Sequence, residues 1–420
     1  MLDRLGPNAA LILVAAPELW AGANIELRYL PDSSLYYLSG CAEPEVVLVL
    51  CNAPDQPGVT LFVRDRDPER ELWNGPRRGV EEAAEAFGVD VAYPVSELET
   101  RLPGLLEHTD RLYYRMGVRA ALDRLVLDAL AAARVRRPRS GVGPHTVTDP
   151  GRVLDSLRLV KDELEIALIR RACDLTVDAF LELRDEVRAG AGEWEIEAAL
   201  EAAFRRRGAS GPAFPAIVGS GANATVLHYS DNHSVVGRGE VVLVDGGARA
   251  AMYCADVTRC YPADGRFSPA QRALYDVVRR AHDAAVAAVR PGAPVSGVHD
   301  AAVRALVEGL LELRLLSGAV DELIARPDAW RRFYPHRSSH WLGLDVHDVG
   351  DYLVGGEPQP LQPGMVLTVE PGLYIPISEE VSPPELRGTG IRLEDDVLVT
   401  TSGADVLTAR LPLDPGALFG

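Results

Sequence analysis

The chain has 420 residues, enough for two or three domains and a large core. Its 47% hydrophobic and 25% charged residues are those of an ordinary globular protein, which excludes a disordered or membrane-embedded class. A formal net charge of -18 argues against a nucleic-acid partner, because phosphate binding needs a concentrated basic face.

The first apolar run, Ala9 to Ala16 between Pro7 and Pro17, is too short to span a bilayer. It lacks the basic start and small-residue cleavage site of a signal peptide, so it predicts a buried strand and no membrane association. Further runs, VVLVL (Val46 to Leu50) and VTLFV (Val59 to Val63), alternate with helical stretches such as GVEEAAEAFG, which predicts an α/β domain. The segment Arg134 to Gly151, with RRPRSGVGPH, is rich in Pro, Gly and Arg and predicts a linker. This divides the chain into domains 1–150 and 151–420.

Long helices follow. One is expected from Leu157 to about Arg188, ended by AGAG, one from Trp194 to Arg207, and two more beyond residue 268. Ser268, Pro269 and Gln271 form a capping box at the start of the third. The pieces EVVLVDGG, AMYCADVTR, MVLTVEPG and IRLEDDVLVT read as strands, so the second domain is α+β, with helices covering an antiparallel sheet. The five cysteines are odd in number and form no CxxC pair, which suits a reducing, cytoplasmic location.

Chemistry concentrates in those strands. If the two runs around Asp245 and Asp256 form a hairpin turning near residue 250, the two carboxylates stand directly opposite each other, roughly 5 Å apart. Opposed like charges cost stability unless a cation lies between them. Glu370, before Pro371 and Gly372, and Glu394, inside IRLED, are also embedded among apolar residues. Four buried acids would be prohibitively costly unpaired, whereas two divalent cations balance them, and an oxygen-rich site with one imidazole follows. The imidazole expected is His340. Its neighbours in HRSSHWLGLDVHD, His336 and His347, suit substrate contacts better than ligation.

The words LVDGG, ADVTR, SHWLG, TVEPG and IRLED, in this order, resemble the pita-bread metallopeptidases. LYYLSGCAEPEVVLVL and ELWNGPRRGVEEAAEAFGVD resemble the N-terminal domain of that family's aminopeptidase P and prolidase branch, and the likeness is nearest to bacterial Xaa-Pro aminopeptidases. It implies an α/β N-terminal domain followed by a pita-bread catalytic domain that hydrolyses the Xaa-Pro bond at the N-terminus of proline-containing peptides. It also implies two divalent ions, manganese before zinc or cobalt, bridged by a hydroxide. Asp256 and Glu394 would bridge the ions, Asp245 would hold one, and His340 with Glu370 the other. Glu370 would also shuttle the proton. His228 and His347 would contact substrate carbonyls, Arg392 would orient the carboxylates, and Tyr374 would line the pocket. Relatives with this N-terminal domain associate through it, so a homo-oligomer, dimer or tetramer, is expected.

One word departs from the family's His-Gly-x-x-His. Here it reads His336-Arg337-Ser338-Ser339-His340. An arginine fork suits a carboxylate, so Arg337 could clamp the free carboxylate of a Xaa-Pro dipeptide and make the enzyme a prolidase. Alternatively it points to solvent. His233, His282 and His299 are expected at the surface. A non-catalytic peptide-binding module or a metal-free amidinohydrolase would have lost the five ligands. GSGAN lacks a nucleotide-binding context, and HExxH is absent.

Overall fold

Side chains of a strand alternate between its faces, and in the run Ala9–Val14 both sets are apolar. Ala9, Leu11 and Leu13 enter one core and Ala10 and Ile12 another, so this strand is covered on both sides. In the computed structural model, which describes residues 1–379 and 382–419, it is the fourth strand of a six-stranded mixed sheet. The strands are β1 (Ala9–Val14), β2 (Val47–Cys51), β3 (Val59–Val63), β4 (Val91–Pro94), β5 (Arg111–Tyr113) and β6 (Thr146–Thr148), in the order β4-β3-β2-β1-β5-β6. This sheet belongs to a compact unit, Met1–Asp155; the second unit is Ser156–Gly420.

The expected linker is not one. Residues Arg134 to Ser140 complete the helix Ala120–Ser140, with Pro138 tolerated in its last turn, and Thr146–Thr148 pairs in parallel with β5. The Pro and Gly content marks a helix end and a turn into an edge strand, which composition alone does not separate from a linker.

Where the second unit begins, the expected helix from Leu157 is in fact two. Gly151–Leu159 stops, and Asp162 caps Glu163–Leu183, accepting from Leu164 and Glu165 while Glu165 accepts from the Asp162 amide. The capping box is the break. Helices Glu193–Arg206, Pro269–Ala288 and Ser296–Glu312 follow, and Ser268 with Gln271 forms the expected box.

Strands β7 (Ile217–Ser220), β8 (Val241–Gly246), β9 (Ala248–Ala250), β10 (Tyr253–Cys254) and β11 (Val257–Pro262) come between these helices. β8 pairs antiparallel with β7 and β11, while β9 pairs with β10. Val241 and Leu243 pack with Leu274, Val278 and Leu306, whereas Val242 and Val244 pack with Phe180, Ile196 and Leu200. The sheet is thus held between two helix pairs. The C-terminal strands are β12 (Val366–Val369), β13 (Gly372–Ile375), β14 (Thr389–Arg392) and β15 (Asp395–Val399), with β12 on β15 and β13 on β14, all antiparallel.

The register around the two aspartates differs from expectation. Asp245 faces Thr258, Ala250 faces Tyr253, and the turn falls on Ala251 and Met252, with φ of 46° and 73°. Such a two-residue turn matches the twist of its strands, and it moves the pairing by two residues. Asp256 therefore stands diagonal to Asp245, not opposite, but on the same face because side chains alternate. Gly247 runs so close to Ala255 that a Cβ would lie 1.6 Å from its carbonyl oxygen, so only glycine fits.

Candidate metal centre

Asp245 at the end of β8, Asp256 between β10 and β11, Glu370 after β12 and Glu394 between β14 and β15 are delivered by strand ends to the floor of one cavity of about 880 Å³. His340 joins them from an irregular segment, its amide fixed by Thr368 Oγ1 at 3.1 Å and its Nδ1 3.1 Å from the Trp341 carbonyl oxygen. Only Nδ1–H can face that oxygen, which turns the other nitrogen toward the acids: Nε2 lies 3.4 Å from Asp256 and 3.7 Å from Glu370. Asp256, His340 and Glu394 each offer an atom within 4.8 Å of the others.

The electrostatics are those of an anion cluster lacking its counter-charge. Burial, then the charge of Asp245, pushes Asp256 up to about 7. Burial raises Glu370 despite His340 and Arg392, and burial with the charge of Asp256 holds Glu394 well above the carboxylate range. Burial opposes a charged His340, but the hydrogen bond to Asp256 and the charge of Glu370 outweigh it and push the imidazole up to about 9. Asp245 Oδ1 and Asp256 Oδ1 are buried without a hydrogen-bond partner among the described residues. Orphaned acidic oxygens beside one imidazole are the donor set of hard or borderline divalent cations, so these residues fit a metal.

A second layer fixes the acids. Arg392, nearly fully buried, donates to Asp245 Oδ2, to Tyr374 Oη at 3.1 Å and to Thr258 Oγ1 at 3.0 Å. Thr258 in turn donates to Glu394 Oε2 at 2.6 Å. The Asp256 amide donates to Asp396 Oδ2 at 3.1 Å, and burial with the charge of Asp256 holds Asp396 well above its usual range. Thr258 and Asp396 escaped the sequence reading. Their signal was position: each lies two residues beyond a predicted ligand, on the same face of its strand.

His228, His336, Arg337, His347 and Arg392 stand on the cavity wall. Tyr374 does not: it lies behind the wall, almost fully buried, and reaches the site through its hydroxyl. Its hydrogen-bond chain has one direction. His336 Nδ1 faces the Arg337 carbonyl oxygen at 2.7 Å and must donate to it, so His336 Nε2 accepts from Tyr374, 2.8 Å away, which accepts from Arg392. Burial, then the Arg392 charge, pulls His336 down to about 3, which keeps it neutral. The His347 ring stands edge-on to His340 at 4.4 Å, and burial with the charge of His340 lowers its pKa.

Two of the histidines expected at the surface are not there. His282 is 2% exposed, its Nε2 3.1 Å from Asp395 Oδ2, because the inward face of the helix Pro269–Ala288 carries it. His299 lines the main cavity, and His233 is exposed.

An acid cluster with one imidazole, at the strand ends of an α+β sheet and under a deep cavity, defines a metal-dependent hydrolase. The chain belongs to metallopeptidase family M24, whose model matches residues 167–401, while residues 1–113 match the aminopeptidase P N-terminal domain. It is 40% identical to the Xaa-Pro aminopeptidase of Escherichia coli over 99% of this chain and 94% of that one. It is 33% identical to human Xaa-Pro aminopeptidase 3, over 97% of this chain and 79% of the relative. The aminopeptidase PepP structure from Pseudomonas aeruginosa superposes with a TM-score of 0.96 at 40% identity, covering 100% of this chain and 94% of that chain. A zinc-substituted E. coli aminopeptidase P in complex with product does so at 0.94, also 40% identical, covering 100% and 94%. The catalytic fold is the pita-bread fold of these aminopeptidase P structures.

Proposed function

We propose that the protein is a Xaa-Pro aminopeptidase, releasing the N-terminal residue of peptides whose second residue is proline. The carrying observation is the meeting of Asp245, Asp256, His340, Glu370 and Glu394 under a cavity large enough for several peptide residues. In this reading those five residues hold two divalent cations, with manganese the first choice for an oxygen-rich set. Bound cations supply Lewis acidity and bring the pKa of water near neutral.

The chain's own groups do the rest. Glu370, with an elevated pKa and Thr368 Oγ1 3.5 Å away, is suited to take a proton and return it to the departing proline nitrogen. His228 and His347 face the cavity as donors for the scissile and neighbouring carbonyls. His336, held neutral by burial and the Arg392 charge, packs its ring beside Tyr334 and Tyr374 and forms a wall for the proline.

A second reading is a Xaa-Pro dipeptidase. Arg337 favours it, since this residue lines the cavity and has no acidic partner among the described residues. Turnover of a Xaa-Pro dipeptide and of a Xaa-Pro-Xaa peptide, in wild type and Arg337→Gly, separates the two. The aminopeptidase reading expects wild type to prefer the longer peptide and to lose activity on chelation. A folded, metal-loaded protein that cuts no Xaa-Pro bond sinks both readings.

The same reading takes 1–150 and 151–420 as the two domains, and the protein as cytoplasmic and homo-oligomeric. Five buried free cysteines support a reducing compartment, and no described helix is long and apolar enough to cross a membrane. For association, Trp20, Ile25, Leu72 and Trp73 are more than half exposed in the N-terminal unit, where Asn74 Nδ2 donates to Glu26 at 2.7 Å and ties their two segments together. Such an apolar patch is characteristic of a buried contact.

A further inference from the structure

His299, on the first turns of Ser296–Glu312, lines the cavity on the Arg337 side, and nothing above uses it. Its ring ends a series of contacts that begins at Glu370. His336 is 3.5 Å from Glu370, Tyr334 follows at 4.8 Å between ring centres, and His299 at a further 5.8 Å. The two residues of a peptide beyond the scissile bond cover about 7 Å, and with a hydrogen bond of about 3 Å they reach about 10 Å, comparable with the two ring-to-ring steps from His336 to His299.

The protonation of this imidazole is set by a buried chain. His299 Nδ1 lies 2.9 Å from Ser338 Oγ, which lies 2.5 Å from Tyr334 Oη. Ser338 and Tyr334 are almost fully buried, and Ser338 is the sole partner of the Tyr334 hydroxyl among the described residues. Only one arrangement gives both hydroxyl hydrogens an acceptor: Tyr334 donates to Ser338, and Ser338 donates to His299 Nδ1. The ring hydrogen is then on Nε2. That atom has no partner among the described residues and is not closed off from the cavity. Burial, then the Arg337 and Arg331 charges, pulls His299 down to about 4, so the neutral ring persists at physiological pH.

We infer that His299 presents its Nε2–H to the carbonyl or terminal carboxylate oxygen of the residue that follows proline, and so selects peptides over Xaa-Pro dipeptides. The inference rests on the Xaa-Pro aminopeptidase reading and names a specificity determinant of that same site.

Two substitutions separate this role from a structural one, because Asn mimics the Nδ1 end of the ring and Gln the Nε2 end. His299→Asn keeps an acceptor for Ser338 but removes the donor to the cavity; His299→Gln does the reverse. His299→Asn is expected to lower kcat/KM for a Xaa-Pro-Xaa tripeptide, relative to a Xaa-Pro dipeptide, by about ten-fold, mainly through KM, with His299→Gln within about three-fold of wild type. If the ring only props Ser338, the order of the two variants reverses, and that overturns the inference. So does an equal loss on both peptides. Should either variant fail to fold, nitrogen-15 histidine NMR of the wild type decides: the Nε2–H form is expected, and the Nδ1–H form refutes it. A wild type that cuts neither peptide takes down the function and this inference together; one that cuts both, with His299→Asn unchanged, takes down the inference alone.

Discussion

Arg392 binds Asp245 through one terminal guanidinium nitrogen while its other two nitrogens hold Tyr374 and Thr258. One buried cation thus aims a carboxylate oxygen of the acid cluster and fixes the tautomer of His336 through Tyr374. Lysine carries the same charge but cannot make three directed bonds from a plane. Arg392→Lys is expected to weaken metal binding by about ten- to a hundred-fold. Metal titration by calorimetry, with kcat/KM at saturating metal, checks it, and unaltered affinity would show that Asp245 needs no such support.

Thr258→Val keeps the shape but leaves Glu394 Oε2 and Arg392 Nε without their shared partner. A buried polar group so orphaned costs about 1–3 kcal/mol. The loss belongs to the metal-free protein and should shrink once metal is bound, which thermal unfolding with and without chelator measures.

The pH dependence of the metal-free form follows from Asp256 and His340. An aspartate raised to about 7 binds its proton more tightly folded than unfolded, so its contribution is complete below the unfolded pKa of about 3.9 and is lost as pH rises through 7. His340, raised to about 9, contributes fully below about 6.5 and loses this as pH rises through 9. Both act in one direction. The chelated protein is therefore expected to lose thermal stability between pH 5 and 9, the gap to the metal-loaded form widening, and metal uptake at pH 7 should release protons. Calorimetry in buffers of different ionisation heat counts them, and a gap that narrows with pH would contradict the acid cluster.

Lys161, the chain's only lysine, is buried with Nζ 2.9 Å from Asp348, which Arg158 also holds. An amine reagent should therefore acylate the native protein at its N-terminal amine and reach Lys161 only after unfolding, as peptide mass spectrometry would reveal. Lys161→Met breaks one arm of this buried network and is expected to cost about 3 kcal/mol in denaturant unfolding. A loss below 1 kcal/mol would mean that Arg158 alone satisfies Asp348.

The acid cluster proposed to hold metal was legible because carboxylates inside apolar strands are conspicuous: Asp245 follows VVLV, and Glu394 sits in IRLED. The helix starts at Ser268 and Asp162 were written in local capping chemistry, although only the first was read. The edge strand Thr146–Thr148 was not legible, because three residues of intermediate burial carry no periodic signal and their pairing is decided by β5.

By itself the sequence determined which residue types could hold a cation, in what order, and which segments had the period of strand or helix. These depend on neighbours a few positions apart. Only the tertiary structure decided that Asp256 lies diagonal to Asp245, that Tyr374 stands behind the cavity wall, and that His299 lines the cavity with its tautomer fixed by Ser338 and Tyr334. Those facts depend on a turn register and on contacts between distant segments, 38 residues apart for His336 and Tyr374 and 39 for His299 and Ser338. No local pattern encodes them, because a side chain's partner is set by where the packed elements meet.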